Sequence, residues 1–259
     1  MPLSDRIFFP RFALCMAASL MLLFPAPAWA DDGRCPAASL VSLRLPAVRA
    51  ALAHGRAVTV VALGSSSTQG AGAATPDGAY PARLEAVLRR VWPNAAITVV
   101  NRGVGGQDID GMLARLQDDV LALHPDLVIV QAGANAAMKG MDPAGFAAML
   151  DEAVKRILTT GGDVILMDNQ RAPRILGVPG GEVYDEVIAR EAQARHVSLF
   201  SRGTLMRQWQ AADPTSVDMI GLDGVHHTDR GYACIAAAMG DAIIDASLRP
   251  VTDVTAARR

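Results

Sequence analysis

Two hydrophobic periods alternate along the chain. Short, β-branched apolar runs at residues 58–64, 96–100, 127–131, 164–167 and 197–200 are too brief for helices and read as buried strands. Between them apolar residues recur every three to four positions. Leu84, Val87, Leu88 and Val91 mark a helix at 81–91. A second helix carries Leu113, Leu116, Val120 and Leu123 and stops at His124-Pro125. Asp142-Pro143 opens a third, with Phe146, Leu150, Val154 and Ile157 inward and Gly161-Gly162 past its end. Two more are expected at 183–195 and at 229–248, the latter with Tyr232, Ile235, Met239 and Ile243 on its buried face. Leu40, Leu43, Val48 and Leu52 predict an N-terminal helix, broken or restarted at Pro46 and ending near His54-Gly55. Strands alternating regularly with long helices imply a parallel sheet covered on both faces. The expected fold class is α/β, a three-layer α/β/α sandwich with a flavodoxin-like parallel five-stranded sheet.

In such sheets chemistry gathers at the carboxyl ends of the strands. The first strand empties into Gly64-Ser65-Ser66-Ser67-Thr68, which either presents a hydroxyl there or simply caps a following helix. The second leads to Asn101-Arg102-Gly103-Val104-Gly105-Gly106, a turn that lets backbone come close to whatever occupies the strand ends. Strand three opens into Gly133-Ala134-Asn135, and strand four into Asp168-Asn169-Gln170-Arg171.

Composition narrows the setting. Arg6 and Arg11 flank the start of an apolar run, residues 12–24, that is too short to span a bilayer and ends in Ala28-Trp29-Ala30. Residues 1–30 are therefore expected to be a secretory signal peptide and 31–259 a single domain, periplasmic or secreted, with no stable membrane anchor after processing. Removing Asp5, Arg6 and Arg11 leaves 22 basic against 25 acidic residues, a balance that gives nucleic acid no attraction. Of three cysteines, Cys35 and Cys234 stay in a compartment that permits disulfides, and a bridge between them is expected. His54, His124, His196, His226 and His227 form no metal-binding spacing, and neither a phosphate loop nor a dinucleotide fingerprint is present. No cofactor is implied.

Close to the last helix, Asp223-Gly224-Val225-His226 sets an acid three residues before a histidine, the spacing of an orienting carboxylate and a general base, or else of an ordinary cap loop with two exposed histidines. His227 is read as a solvent-facing neighbour. Taken together, the four blocks resemble those of the SGNH, or GDSL-like, hydrolase superfamily. Gly64 to Thr68 matches its Gly-Asp-Ser-x-Thr block, Asn101 to Gly106 its glycine block, Gly133-Ala134-Asn135 its Gly-x-Asn block, and Asp223-x-x-His226 its terminal block. The resemblance implies Ser66 as nucleophile, His226 as base and Asp223 as its orienter, with an oxyanion hole built from the N–H groups of Ser66 and Gly106 and the amide of Asn135. In two places the chain departs from the pattern: Ser65 stands where Asp is usual, and Ala136 where an Asp commonly follows the Asn.

The expected activity is that of an exported serine esterase acting on short acyl esters, such as acetyl on a carbohydrate. A small-molecule or polysaccharide ester is then its partner. Longer-chain lysophospholipase or thioesterase action is the rival, followed by acyl transfer and by a non-catalytic binding domain on the same fold. Arg171, Arg174 and Trp209 follow the ends of strands four and five, where an arginine or an indole could meet substrate or simply pack. The oligomeric state is left open.

Overall fold

The computed structural model describes residues 35–214 and 216–249. The expected signal peptide lies outside the described residues.

Five strands, β1 (Val58–Gly64), β2 (Ile97–Gly103), β3 (Leu127–Gln131), β4 (Asp163–Met167) and β5 (Ser198–Phe200), form one parallel sheet in the order β2-β1-β3-β4-β5. This is the flavodoxin-like order, and its reversal falls between β1 and β3, so the chain leaving β1 enters the crevice where helices on opposite faces part. Register is set by side-chain alternation. Val58, Val60, Ala62, Leu127, Ile129, Ile165 and Met167 join one core, whereas Val61, Leu63, Val128, Val130, Val164 and Leu166 join the other. The first core is closed by α1 (Pro46–Ala53), α3 (Tyr80–Val91), α10 (Arg202–Ala212) and α11 (Asp229–Leu248). The second is closed by α4 (Ile109–Ala114), α5 (Leu116–Asp119), α7 (Pro143–Leu158) and α9 (Glu182–Arg195). Three short helices, α2 (Ser66–Gln69), α6 (Ala134–Lys139) and α8 (Pro173–Leu176), sit directly after the carboxyl ends of β1, β3 and β4.

Several expectations need correction. Residues 40–45 are not helical, because Leu45 precedes Pro46 and is pushed out of the helical region, so α1 begins at the proline. The expected helix over Leu113 to Leu123 is split into α4, α5 and a 3₁₀ turn, Leu121–Leu123; the break falls at Arg115, whose side chain turns toward the strand ends. β2 continues through Asn101, Arg102 and Gly103, which pair with Ala62, Leu63 and Gly64 instead of belonging wholly to a turn. Helix α10 was not foreseen. The expected bridge is present: Cys35 and Cys234 are joined with Cα atoms 5.4 Å apart, tying the segment before α1 to α11.

Candidate active site

Ser66 begins α2 immediately after β1, so its own N–H points out of the first turn without an intrahelical partner. The residues flanking it are pinned from below. Gln131, the fully buried last residue of β3, accepts from Ser65 N (3.1 Å), Ser65 Oγ (3.0 Å) and Thr68 Oγ1 (3.2 Å) through one amide oxygen. Serine at 65 supplies a hydroxyl donor that an ionised aspartate could not, and the Gln131 amide nitrogen is left without a partner among the described residues. Ser67 is held in turn by Gln170, whose Nε2 donates both to Ser67 Oγ (3.1 Å) and to the Val225 carbonyl (2.9 Å). Gln170 thereby ties the serine turn to the histidine loop. Its only sequence signal was the polar run 168–171 at a strand's carboxyl end.

Within residues 221–228 the acid and the histidine are brought together almost entirely by local bonds. Asp223 Oδ1 accepts from the N–H groups of Val225 (2.9 Å) and His226 (3.0 Å), and Oδ2 meets His226 Nδ1 at 2.5 Å. Partial burial opposes ionisation of this carboxyl, but those two N–H groups and the imidazole outweigh it and hold the pKa down at about 2. With Nδ1–H given to the carboxylate, Nε2 is the acceptor, and it lies 2.8 Å from Ser66 Oγ. The turn needs Gly224, whose φ of +67° is a left-handed conformation and whose α-carbon is covered by the Arg174 stem.

His227 corrects the sequence reading. It is 0% exposed, not solvent-facing. Ile220 and His227 pair in an isolated antiparallel bridge, and in such extended backbone neighbouring side chains point opposite ways, so His226 facing Ser66 sends His227 into the core. There Nδ1 donates to the Met219 carbonyl (3.1 Å), the ring meets Tyr232 edge-on, and burial, with Arg202 nearby, depresses its pKa to about 3.

The donor side is drawn from three separate elements. Asn135 is the second residue of α6, and its Nδ2 donates to the Gln107 carbonyl (2.9 Å), leaving its second amide hydrogen for another acceptor. Gly106 is exposed with φ +75°, and Lys139 Nζ donates to its carbonyl at 2.9 Å. Arg115 closes the assembly from beneath: Nη2 reaches the carbonyls of Gly64 (3.2 Å) and Arg102 (2.8 Å), and Nε reaches Gln107 Oε1 (2.7 Å). Neither Arg115 nor Lys139 carried any motif in the sequence.

Arg171 and Trp209 line one cavity of about 330 Å³ next to the histidine loop, together with Leu176, Met206, Met219 and Ile220. The Arg171 guanidinium has no hydrogen-bond or ion-pair partner among the described residues, whereas Trp209 is 2% exposed and most of its ring is core. Arg174 is exposed.

The model of the non-GDSL lipase-like family matches residues 34–249. The chain belongs to that family. Membership bears out the resemblance to SGNH-like hydrolases. Among curated proteins, this non-GDSL lipase-like chain is 27% identical over 103 residues to an arylesterase of Vibrio mimicus, covering 40% of this chain and 51% of that one. To an acetylxylan esterase of Geobacillus stearothermophilus it is 35% identical over 63 residues, 24% of this chain and 29% of that one. The matches thus span about half of the first relative's length and under a third of the second's. A solved two-domain esterase active on acetylated mannans superposes with a TM-score of 0.69 at 21% identity, over 81% of this chain and 55% of that one, a likeness of fold.

Proposed function

We propose that the protein is an exported serine esterase that hydrolyses carboxylic esters through an acyl-enzyme, with short acyl groups such as acetyl on a carbohydrate as its substrates. The observation that carries this reading is the continuous relay from Asp223 through His226 to Ser66, at 2.5 and 2.8 Å. In it Ser66 Oγ passes its proton to Nε2 as it attacks the ester carbonyl, and Asp223 holds the tautomer and stabilises the imidazolium. The tetrahedral oxyanion is met by the N–H groups of Ser66 and Gly106 and by the free amide hydrogen of Asn135. His226 then returns the proton to the leaving alcohol oxygen, and water repeats the cycle to release the acid. The Cys35–Cys234 bridge supports an oxidising compartment, as export would provide. Arg171 is the residue assigned to substrate contact, and Trp209 contributes only the wall behind it. The arylesterase and acetylxylan esterase relatives and the mannan-active fold neighbour favour acetyl esters of carbohydrates.

One observation favours longer acyl chains instead. Leu222 (110% exposed), Leu176 (54%) and Val104 (39%) stand at the same end of the sheet as the relay, an apolar rim that a hydrocarbon tail could use. Comparing p-nitrophenyl esters of two and twelve carbons, and measuring acetate released from acetylated xylan and mannan, separates the two. Preference for the two-carbon ester with acetate release supports the short-acyl reading. Preference for the long ester transfers the assignment to the rival, and no hydrolysis together with no labelling of Ser66 by a fluorophosphonate overturns both.

A further inference from the structure

We infer that Lys139 is a positioning residue for the oxyanion pocket, holding the turn that carries Gly106 against the helix that carries Asn135. This rests on the esterase reading above and deepens it. Asn135 and Lys139 are four residues apart on α6 and therefore share a face. From that face both cross to one short turn: Asn135 Nδ2 donates to Gln107 O at 2.9 Å, and Lys139 Nζ donates to Gly106 O at 2.9 Å and to Asp108 Oδ2 at 2.7 Å. Three consecutive residues, 106 to 108, are thus gripped by one helix.

Gln107 N closes the turn weakly onto Val104 O at 3.3 Å and Arg115 holds the Gln107 side chain, but among the described residues Lys139 is the one donor that reaches the Gly106 carbonyl. Gly106 is exposed, and no atom outside its neighbours comes within 4 Å of where its Cβ would stand, so packing does not determine how its peptides are oriented. Upstream, Val104 N donates to Gly64 O at 3.0 Å and anchors the turn to the end of β1. Downstream, Lys139 holds the Gly106 carbonyl and Asn135 the Gln107 carbonyl, and between these bonds and the Val104 anchor the direction of the Gly106 N–H is set. Position 136, beside Asn135, is a buried alanine with no side-chain hydrogen bond to offer, which leaves this task to Lys139. Asp108 completes the device. Its side chain is 7% exposed against 57% for Lys139, and its other oxygen has no partner among the described residues, so the ammonium compensates a carboxylate that water barely reaches.

An ion pair with a merely structural task would affect stability and leave turnover alone, so the test is kinetic. Lys139→Met should lower kcat on a two-carbon ester by about tenfold or more with KM within about twofold, since the donor it positions acts in the transition state. Fluorophosphonate labelling of Ser66 should slow in parallel, and Lys139→Arg should restore most of kcat. Because Lys139→Met strands the Asp108 carboxylate, the double variant Lys139→Met/Asp108→Asn removes both charges together and should keep the low kcat; it also serves as the readout if the single variant does not fold. A kcat within twofold of wild type in Lys139→Met, or a return to wild-type kcat in the double variant, overturns the inference while leaving the esterase reading standing. A wild-type protein that neither hydrolyses esters nor is labelled at Ser66 overturns both.

Discussion

The two halves of the proposed site, the acid–base pair and the oxyanion donors, are built by opposite strategies. Asp223 and His226 lie three residues apart in one loop, where the backbone N–H groups of Val225 and His226 hold the carboxylate that orients the ring. Ser66, Gly106 and Asn135 instead follow the ends of β1, β2 and β3, three strands that the sheet sets side by side in the order β2-β1-β3. A local device depends on its own turn. A device spread over three strands depends on side chains that staple one end to another, here Gln131, Arg115 and Lys139, and those residues need no motif because any polar side chain of suitable reach and hydrogen-bonding sense will serve.

The acid–base half reaches the donor half at Ser66, where substitution should have the largest effect. Ser66→Ala should reduce kcat on the order of 10⁶-fold while the far-ultraviolet circular dichroism stays unchanged, whereas Ser65→Ala and Ser67→Ala should be far milder. A dead Ser65→Ala with an active Ser66→Ala would move the nucleophile by one position. Next comes the local half. Asp223→Asn should cost roughly 10⁴-fold through loss of the tautomer and of imidazolium stabilisation, with binding of substrate little changed. Since the Asp223 pKa is held at about 2, this group stays ionised through the working range and should add no ionisation of its own to the pH–rate profile there. The sign for stability runs the same way. A depressed carboxyl pKa contributes above its ordinary value of 3.8 and is lost as pH falls from there through about 2, so wild type should lose more of its melting temperature than Asp223→Asn over that interval.

The donor half should yield smaller losses. Asn135→Ala should raise the barrier by about 2.7–4 kcal/mol, a kcat loss of about 10²–10³, measured under saturating ester. A loss below tenfold would mean that the second amide hydrogen of Asn135 does not face the oxyanion. Smallest on the rate is reduction of Cys35–Cys234. The bridge closes a loop of sequence separation 199 and makes none of the hydrogen bonds of either half. Chain entropy gives it up to about 5 kcal/mol, so reduction should lower the melting temperature yet leave kcat at moderate temperature unchanged. A parallel fall in kcat would show that the histidine loop, which leads straight into α11, takes its position from that staple and is less local than its hydrogen bonds suggest.

Much of this was legible in the chain because period and punctuation are local properties. Strand β3 and helix α11 fall where the hydrophobic period places them, and Asp142 caps α7 as the Asp-Pro pair requires, its carboxylate accepting from Gly145 N at 2.8 Å. The four blocks were likewise readable, since each is a turn chemistry set by adjacent residues. Helix α10 was missed because Arg202, near its start, is a charged residue that the fold buries, with Nε donating to the Asp168 carbonyl, and no period announces that. His227 was misplaced because its burial, opposite the face on which His226 meets Ser66, follows from the direction of an extended segment against Ile220.

What the amino-acid order by itself determined, then, is the five strands, the parallel α/β class with its flavodoxin-like sheet and the chemical identity of the residues at the strand ends, most of which rest on patterns of a few residues. The burial of His227 and Trp209, and the clamps made by Gln131, Gln170, Arg115 and Lys139, were decided only in the tertiary structure. Their contacts join positions tens to more than a hundred residues apart, as when Gln170 Nε2 reaches Ser67 across 103 residues, and no local pattern encodes a partner that the sheet alone brings near.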